Sequence, residues 1–437
     1  MTTTATRPKP PRWGPLGLVP ALVLVSVNFL DGMEANFIPG VLSLLQDEWG
    51  FGDTAAGAIP TAMAIAGLLV TLPAGYLADR VVRTRLLAVV VASWSVFTLA
   101  SALATAFWMF FVIRVLLGTA AHVDNPCSSS LITDYYPAAS RARVFALQRA
   151  AWYVGISLGI ALGGVLGEAF GWRAPFLVMV LPGLVVALLV WRLPEPVRGG
   201  LEPPADGARA TAAGVDVAPV PASGRGWRAL WADARSLLDV PTLRLVFVGV
   251  AVAFAGFNGL GYWLPSFWER QFDLSEGESA ALTGAVALVA TLSGSWIGGV
   301  LGDRWHASRR AGRIDLAAGA LLIGGVVLVV SLAMPVLVVQ IPLLVVAAIL
   351  LVSGMPSYAA AVADVLPVSR RGIGFALFTF LVTLASALGP LLVGVVSDLT
   401  GSLRTALIAG ALPCIPGAFV LARARTTYPA DAAAISG

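Results

Sequence analysis

Charge is what this chain of 437 residues has least of: 12% of it is Asp, Glu, Lys or Arg, where about 25% is usual for a soluble domain. With 58% hydrophobic residues and a mean hydropathy of +0.86, it has too few polar groups to cover a folded surface in water, and a bilayer is the solvent that accepts it. Cysteine is nearly absent. Cys127 and Cys414 both sit in apolar runs, which argues against a disulfide framework or a thiolate metal site. Only two histidines occur, and no P-loop, His-Glu-x-x-His or Cys-x-x-Cys string is present. A membrane enzyme would need such a constellation, so no enzyme, metal or cofactor is expected, and any transport must draw on an ion gradient rather than ATP. There is one lysine, Lys9, and the net charge of +4 is carried by arginine. It reads as membrane topology rather than as a nucleic-acid footprint.

What is abundant is apolar sequence. Runs long enough to cross a hydrocarbon core, about 20 residues each, recur twelve times. The first, from about Leu16 to Leu42, is too long for a signal-peptide core and is expected to be retained. The fold expected is an all-α integral membrane protein of two six-helix bundles, residues 1–192 and 241–437. Residues 193–240, rich in Pro, Ala, Gly and Arg, read as a flexible linker. That linker ends in an amphipathic surface helix around Trp227, Leu230, Trp231, Leu237 and Leu238. Arg173, Arg270 and Arg404 fall in loops on one side, Arg114 and Arg149 fall within spans, and the other 23 of the 28 basic residues share the side of both termini and the linker. That asymmetry predicts cytoplasmic termini in a plasma membrane, the inner membrane of a bacterium.

The two halves repeat each other. Gly75-Tyr-Leu-Ala-Asp79-Arg80 follows the second run, and Gly299-Val-Leu-Gly-Asp303-Arg304 follows the eighth. Asp134-Tyr-Tyr-Pro-Ala-Ala-Ser-Arg141 after the fourth matches Asp364-Val-Leu-Pro-Val-Ser-Arg-Arg371 after the tenth, and further on Glu168 matches Asp398. Glycines such as Gly75 and Gly299 let two helices approach closely. The aspartates can pair with arginines or sit at helix N-termini. These loops are expected to act as latches that hold the bundles in one state and release in another.

These loop motifs, with Arg114-x-x-x-Gly118 and the Gly155, Gly159, Gly163, Gly164 ladder, resemble those of the major facilitator superfamily over the whole chain apart from the linker. Asn28-Phe-Leu-Asp31, Gly52-Asp53-x-x-x-Gly57 and Glu195-Pro-x-Arg198-Gly-x-x-Glu202 narrow the resemblance to the spinster-like lipid transporters. It implies proton-coupled transport of lysophospholipids, sphingoid lipids or similar amphiphiles. The chain departs from that pattern at two places: the family's arginine after the span-one aspartate is Gly32, and its span-four glutamate aligns with Ala121.

Charges inside spans are expensive and mark function. Here they are lopsided: the first bundle holds Asp31, Glu34, Arg114, His122, Asp124 and Arg149, and the second holds none in mid-span. Asp31 and Glu34 share a helix face, and Arg114 lies at similar depth. They are expected to form either a neutralised packing network or a proton site. Asp124 is expected to pair with Arg149, with His122 either packed or titrating. The second bundle offers Asn258, Tyr262, Trp263, Tyr358 and Phe375, an apolar and aromatic lining that fits an amphipathic substrate. Two functions follow: a proton-coupled exporter of lipid-like or drug-like molecules, or a proton symporter importing organic anions such as aromatic acids. The second would use Arg114 and Arg149 to hold a carboxylate, so the two differ in whether Arg149 meets Asp124 or the substrate. The expected partners are the substrate, protons and the bilayer, and the expected state is a monomer.

Overall fold

The structure, a computed structural model, describes residue 13 and residues 16–78, 80–198, 235–367 and 370–436. Among these there are helices and turns and no strand. Twelve segments are long and apolar enough to cross a membrane. Spans 1 to 6 are Val19–Trp49, Asp53–Thr71, Arg83–Ala102, Phe107–Tyr135, Ala139–Phe170 and Ala174–Trp191. Spans 7 to 12 are Pro241–Phe272, Glu276–Ser308, Gly312–Ala333, Leu337–Asp364, Ile373–Thr400 and Leu403–Ile435. An even number of crossings puts both chain ends on one face, here the terminal face; the other is the distal face. Exposed Leu69, Trp108, Leu181, Val338 and Phe419 lie on outer surfaces that lipid would cover without cost.

Prolines act in two ways. Span 1 breaks at Asn36–Phe37 just before Pro39, and span 10 breaks at Gly354 just before Pro356. Pro60, Pro73, Pro126, Pro265 and Pro390 instead sit inside continuous helices. A mid-helix proline donates no N–H, which frees the carbonyl four residues earlier. For Pro390 that carbonyl belongs to Ser386, and it accepts from Asn258 Nδ2 at 3.2 Å.

Glycine sets how close the helices come. In the first bundle a side chain at Gly155, Gly159 or Gly163 would fall within 3.0 Å of the backbone carbonyls of Phe29, Met33 and Phe37 on span 1. In the second bundle Gly294 and Gly298 of span 8 meet the carbonyls of Ile349 and Ser353 on span 10 in the same way. Gly299, the motif glycine, does not: a Cβ there would meet nothing within 4 Å. The close approach expected at Gly299 is made one residue earlier.

The bundles meet along two seams, span 2 against span 11 and span 5 against span 8. On the first seam Gly57 abuts the Pro390 carbonyl and Gly394 that of Asp53; on the second, Gly284 abuts Ser157 and Gly164 abuts Glu276. All these contacts lie toward the distal face. Asp79, Trp227, Leu230 and Trp231 lie outside the described residues, as do the surroundings of Gly75 and the side chain of Arg371.

Candidate functional site

The charges of the first bundle sort differently from the expectation. Arg114 is fully buried and donates to Glu34 Oε1 at 2.6 Å, where Thr98 Oγ1 also donates at 3.0 Å. Its guanidinium lies 4.5 Å from the Phe176 ring centre and 5.1 Å from that of Phe110. Glu34 and Arg114 thus form a closed pair, walled by aromatics. Asp31, one turn away, has no cation partner among the described residues and accepts from Trp152 Nε1 of span 5, at 3.3 Å. Asp124 and Glu34 are the carboxylates within electrostatic reach of it, so the two groups read as separate from the sequence meet at Asp31.

Asp124 does not pair with Arg149. It is buried and accepts from Ser128 Oγ one turn along its own helix. Arg149 is exposed, reaches no acid among the described residues, and lies 5.9 Å from the Trp152 ring centre. His122 is packed: its Nδ1 lies 2.9 Å from the Gly118 carbonyl, and its ring fills the space a side chain at Gly67 would need. Trp152 thus contacts both Asp31 and Arg149, and Asp124 lies within electrostatic reach of Asp31.

The second bundle's candidates divide in the same manner. Asn258 is exposed. Phe375 is half-buried, and Tyr358 is buried within its own bundle. Trp263 is fully buried and donates to the Pro390 carbonyl at 2.9 Å, which ties span 7 to span 11. Tyr262 donates across the seam to the Ala56 carbonyl at 2.8 Å. Trp263 and Tyr358 are packing residues and Tyr262 a bundle-to-bundle contact, while Asn258 and Phe375 keep exposed surface.

On the terminal face the motif residues clamp loops inside each bundle. Arg83, almost fully buried, pairs with Asp134 and donates Nε to Glu195 Oε1 at 2.8 Å. Glu195 Oε2 also accepts from the Thr84 amide and hydroxyl, each at 2.9 Å. Partial burial works against ionisation of Glu195, but these hydrogen bonds and the Arg83 charge outweigh it and hold the carboxyl below its ordinary value. The second bundle repeats the device with different parts: Arg313 pairs with Asp364, which also accepts from the Tyr428 hydroxyl, while Asp303 stands 3.6 Å from Arg313 and is mostly exposed. Arg141 donates to the Tyr136 carbonyl at 2.8 Å, and Arg80 and Arg304 are exposed. Among the described residues Asp134 and Asp364 pair within their own bundles, as loop anchors, and a latch on this face that releases when the cleft opens here is compatible with that. Arg313 and Tyr428 were missed by sequence; the run from Asp303 to Arg313 is longer than that from Asp79 to Arg83 and breaks the register of the repeat.

Among the described residues an ion pair joins the bundles on the distal face. Arg270 of span 7 grips Asp53 of span 2 through two hydrogen bonds, at 2.7 and 2.8 Å. Ser397 and Gln46 also donate to Asp53, at 2.6 and 2.9 Å. Thr61 Oγ1 donates to the Ala387 carbonyl at 2.6 Å, and Ser43 donates to Glu269.

A model of the major facilitator superfamily matches residues 24–354. The chain belongs to the major facilitator superfamily. It is 32% identical over 256 residues to protein spinster homolog 1 of Homo sapiens, 57% of this chain and 45% of that protein, and 30% identical over 185 residues to protein spinster of Drosophila melanogaster, 41% and 30%. The chain matches about half the length of the curated spinster proteins or less. Among solved structures it resembles a bacterial homologue of the human lysosomal transporter Spinster in an inward-facing, unoccupied conformation, with a TM-score of 0.76, 22% identity and coverage of 95% and 97% of the two chains. A D-xylose-proton symporter gives 0.69, 18%, 92% and 97%.

One departure from the spinster-like pattern gains a physical reason. At Gly32 a Cβ would fall within 3.0 Å of the Trp152 carbonyl, so the close contact of spans 1 and 5 leaves no room for an arginine side chain. The expectation that no Gly-x-Ser-x-Gly string is present is corrected: Gly155-Ile-Ser157-Leu-Gly159 has the spacing of a hydrolase nucleophile motif. Here it is mid-helix, its glycines against span 1 and Ser157 Oγ donating to the Tyr153 carbonyl, without the strand-to-helix turn that chemistry needs.

Proposed function

We propose that this superfamily member is a proton-coupled secondary transporter that works by alternating access and exports an amphipathic, lysolipid-like or drug-like molecule. The observation that carries the coupling is Asp31: it lies within a span, has no cation partner among the described residues, and has Asp124 and Glu34 near it, whereas Glu34 is already neutralised by Arg114. A carboxylate so placed is the one that gains by binding a proton. Asp124 stands one turn from Ala121, where the spinster-like pattern has a glutamate. Similarity to the spinster proteins supports the lipid-like cargo, and the second bundle, which carries no charge in mid-span and leaves Asn258 and Phe375 with exposed surface, supports an apolar body. The seal on the distal face supports a cleft open toward the terminal, cytoplasmic face.

One observation favours the second reading, symport of organic anions. Arg149 does not meet Asp124 and presents its charge beside Trp152, where it would hold a carboxylate or phosphate. Reconstituted protein under an imposed pH gradient, offered a lysophospholipid or an aromatic acid, tests both. The Asp31→Asn variant is expected to lose gradient-driven transport, and unchanged uptake would refute the coupling role. Arg149→Ala is expected to impair transport of the anionic cargo; unimpaired transport of every substrate would remove Arg149 from both mechanisms.

A further inference from the structure

The repeat pairs Glu168, at the distal end of span 5, with Asp398, at the distal end of span 11. In the fold both reach across to the opposite bundle and meet the same kind of partner. Glu168 Oε2 accepts from the Gly277 amide at 2.7 Å and from Ser275 Oγ at 2.9 Å, at the N-terminus of span 8. Asp398 accepts from the Asp53 and Thr54 amides at 3.1 and 2.8 Å, at the N-terminus of span 2. The first amides of a helix have no partner within it and carry the positive end of its dipole, so a carboxylate there satisfies both needs.

We propose that Glu168 and Asp398 are a pseudo-symmetric pair of gate carboxylates, each capping from one bundle the N-terminus of a helix in the other and so holding the cleft shut on the distal face. The inference rests on the alternating-access reading and adds to it the residues that seal one side. Four features support it beyond the hydrogen bonds. Each receiving helix begins with a glycine beside the carboxylate: a Cβ at Gly277 would fall within 3.0 Å of Glu168 Oε2, and one at Gly52 would be 3.1 Å from Asp398 Oδ2. Span 8 already has a complete cap of its own, Ser275 with Glu278, so Glu168 is not needed to end that helix. The caps stand at the ends of the two seams along which the bundles pack. At the span 2 end, Arg270 neutralises Asp53, which would otherwise sit as a second carboxylate beside Asp398.

The gate is read by labelling a cleft cysteine from the distal face. Both native cysteines are buried, so full-length protein carrying Asn258→Cys is reconstituted in liposomes and exposed to a membrane-impermeant maleimide on that face. Removing a cap oxygen is worth about a fivefold shift in a helix-end equilibrium. Glu168→Ala and Asp398→Ala are each expected to raise the labelling rate up to about fivefold, and the double variant up to about thirtyfold. Asp398→Asn keeps an accepting oxygen and is expected to fall between. Gly277→Ala leaves the carboxylate in place but blocks its approach, and is expected to match Glu168→Ala. Glu48→Gln removes a distal acid that pairs with Arg173 inside its own bundle, and is expected to change nothing. If the double variant labels at the parent rate, or Glu48→Gln rises equally, the gate assignment is overturned. If the parent never labels from the distal face, even during substrate turnover, alternating access itself fails and the gate with it.

Discussion

At Glu34 the depth of a charge is legible in sequence and its partner is not. Asp31 and Glu34 are three apart on one helix, and counting residues places Arg114 near both. Which of them receives the guanidinium depends on Thr98 of span 3 and on the Phe110 and Phe176 rings, contacts far apart in the chain. Removing one member of a buried pair leaves the other charge unpaired, at a cost of about 3–5 kcal/mol. Arg114→Leu is therefore expected to lower the melting temperature in detergent sharply, and Arg114→Leu combined with Glu34→Gln to recover much of the loss. Glu195 shows the converse: its motif string was recognisable before its job was. Its carboxyl is held below the ordinary value of 4.5 in the folded protein, so its stabilisation is complete above that value and is lost as pH falls through the lower folded one. Melting curves recorded from neutral pH to below 4.5 are expected to fall more steeply for the parent than for Glu195→Gln.

At the scale of elements, the twelve spans follow from length and hydropathy. The repeat also located the loop clamps, because aspartate, proline and arginine recur in register at Asp134 and Asp364. It failed where the halves solve one problem with different parts, since Glu195 after span 6 and Tyr428 late in span 12 serve the same anchor. It failed again by one residue at Gly299. Helix faces change by 100° per residue, so a motif glycine and the packing glycine beside it point in different directions. Gly298→Ala is expected to destabilise by about 1–3 kcal/mol through overpacking against the Ser353 carbonyl. Gly299→Ala is expected to leave the melting temperature within a degree or two, because nothing stands in its way. Equal losses would mean that the motif glycine, not its neighbour, sets the spacing of spans 8 and 10.

For the whole molecule, the same local geometry has two consequences depending on which bodies it joins. Gly159 presses against the Met33 carbonyl between two spans of one bundle, a contact that every state of a rocking-bundle transporter keeps. Gly57 presses against the Pro390 carbonyl between bundles, and Gly284 against Ser157 on the other seam, contacts that must part when the distal face opens. No sequence pattern separates the two classes, since both are glycines in apolar helices; only the assignment of helices to bundles does. A larger residue at Gly159 therefore raises the energy of all states together, while one at Gly57 or Gly284 raises only the state closed on the distal face. Gly159→Val is expected to lower yield and melting temperature. Gly57→Val and Gly284→Val are expected to melt near the parent, to label readily from the distal face at a cleft cysteine, and to lose transport because the cycle cannot close. If Gly57→Val and Gly159→Val lost stability alike, the seam would be part of a fixed core, and the two bundles would not move as separate bodies.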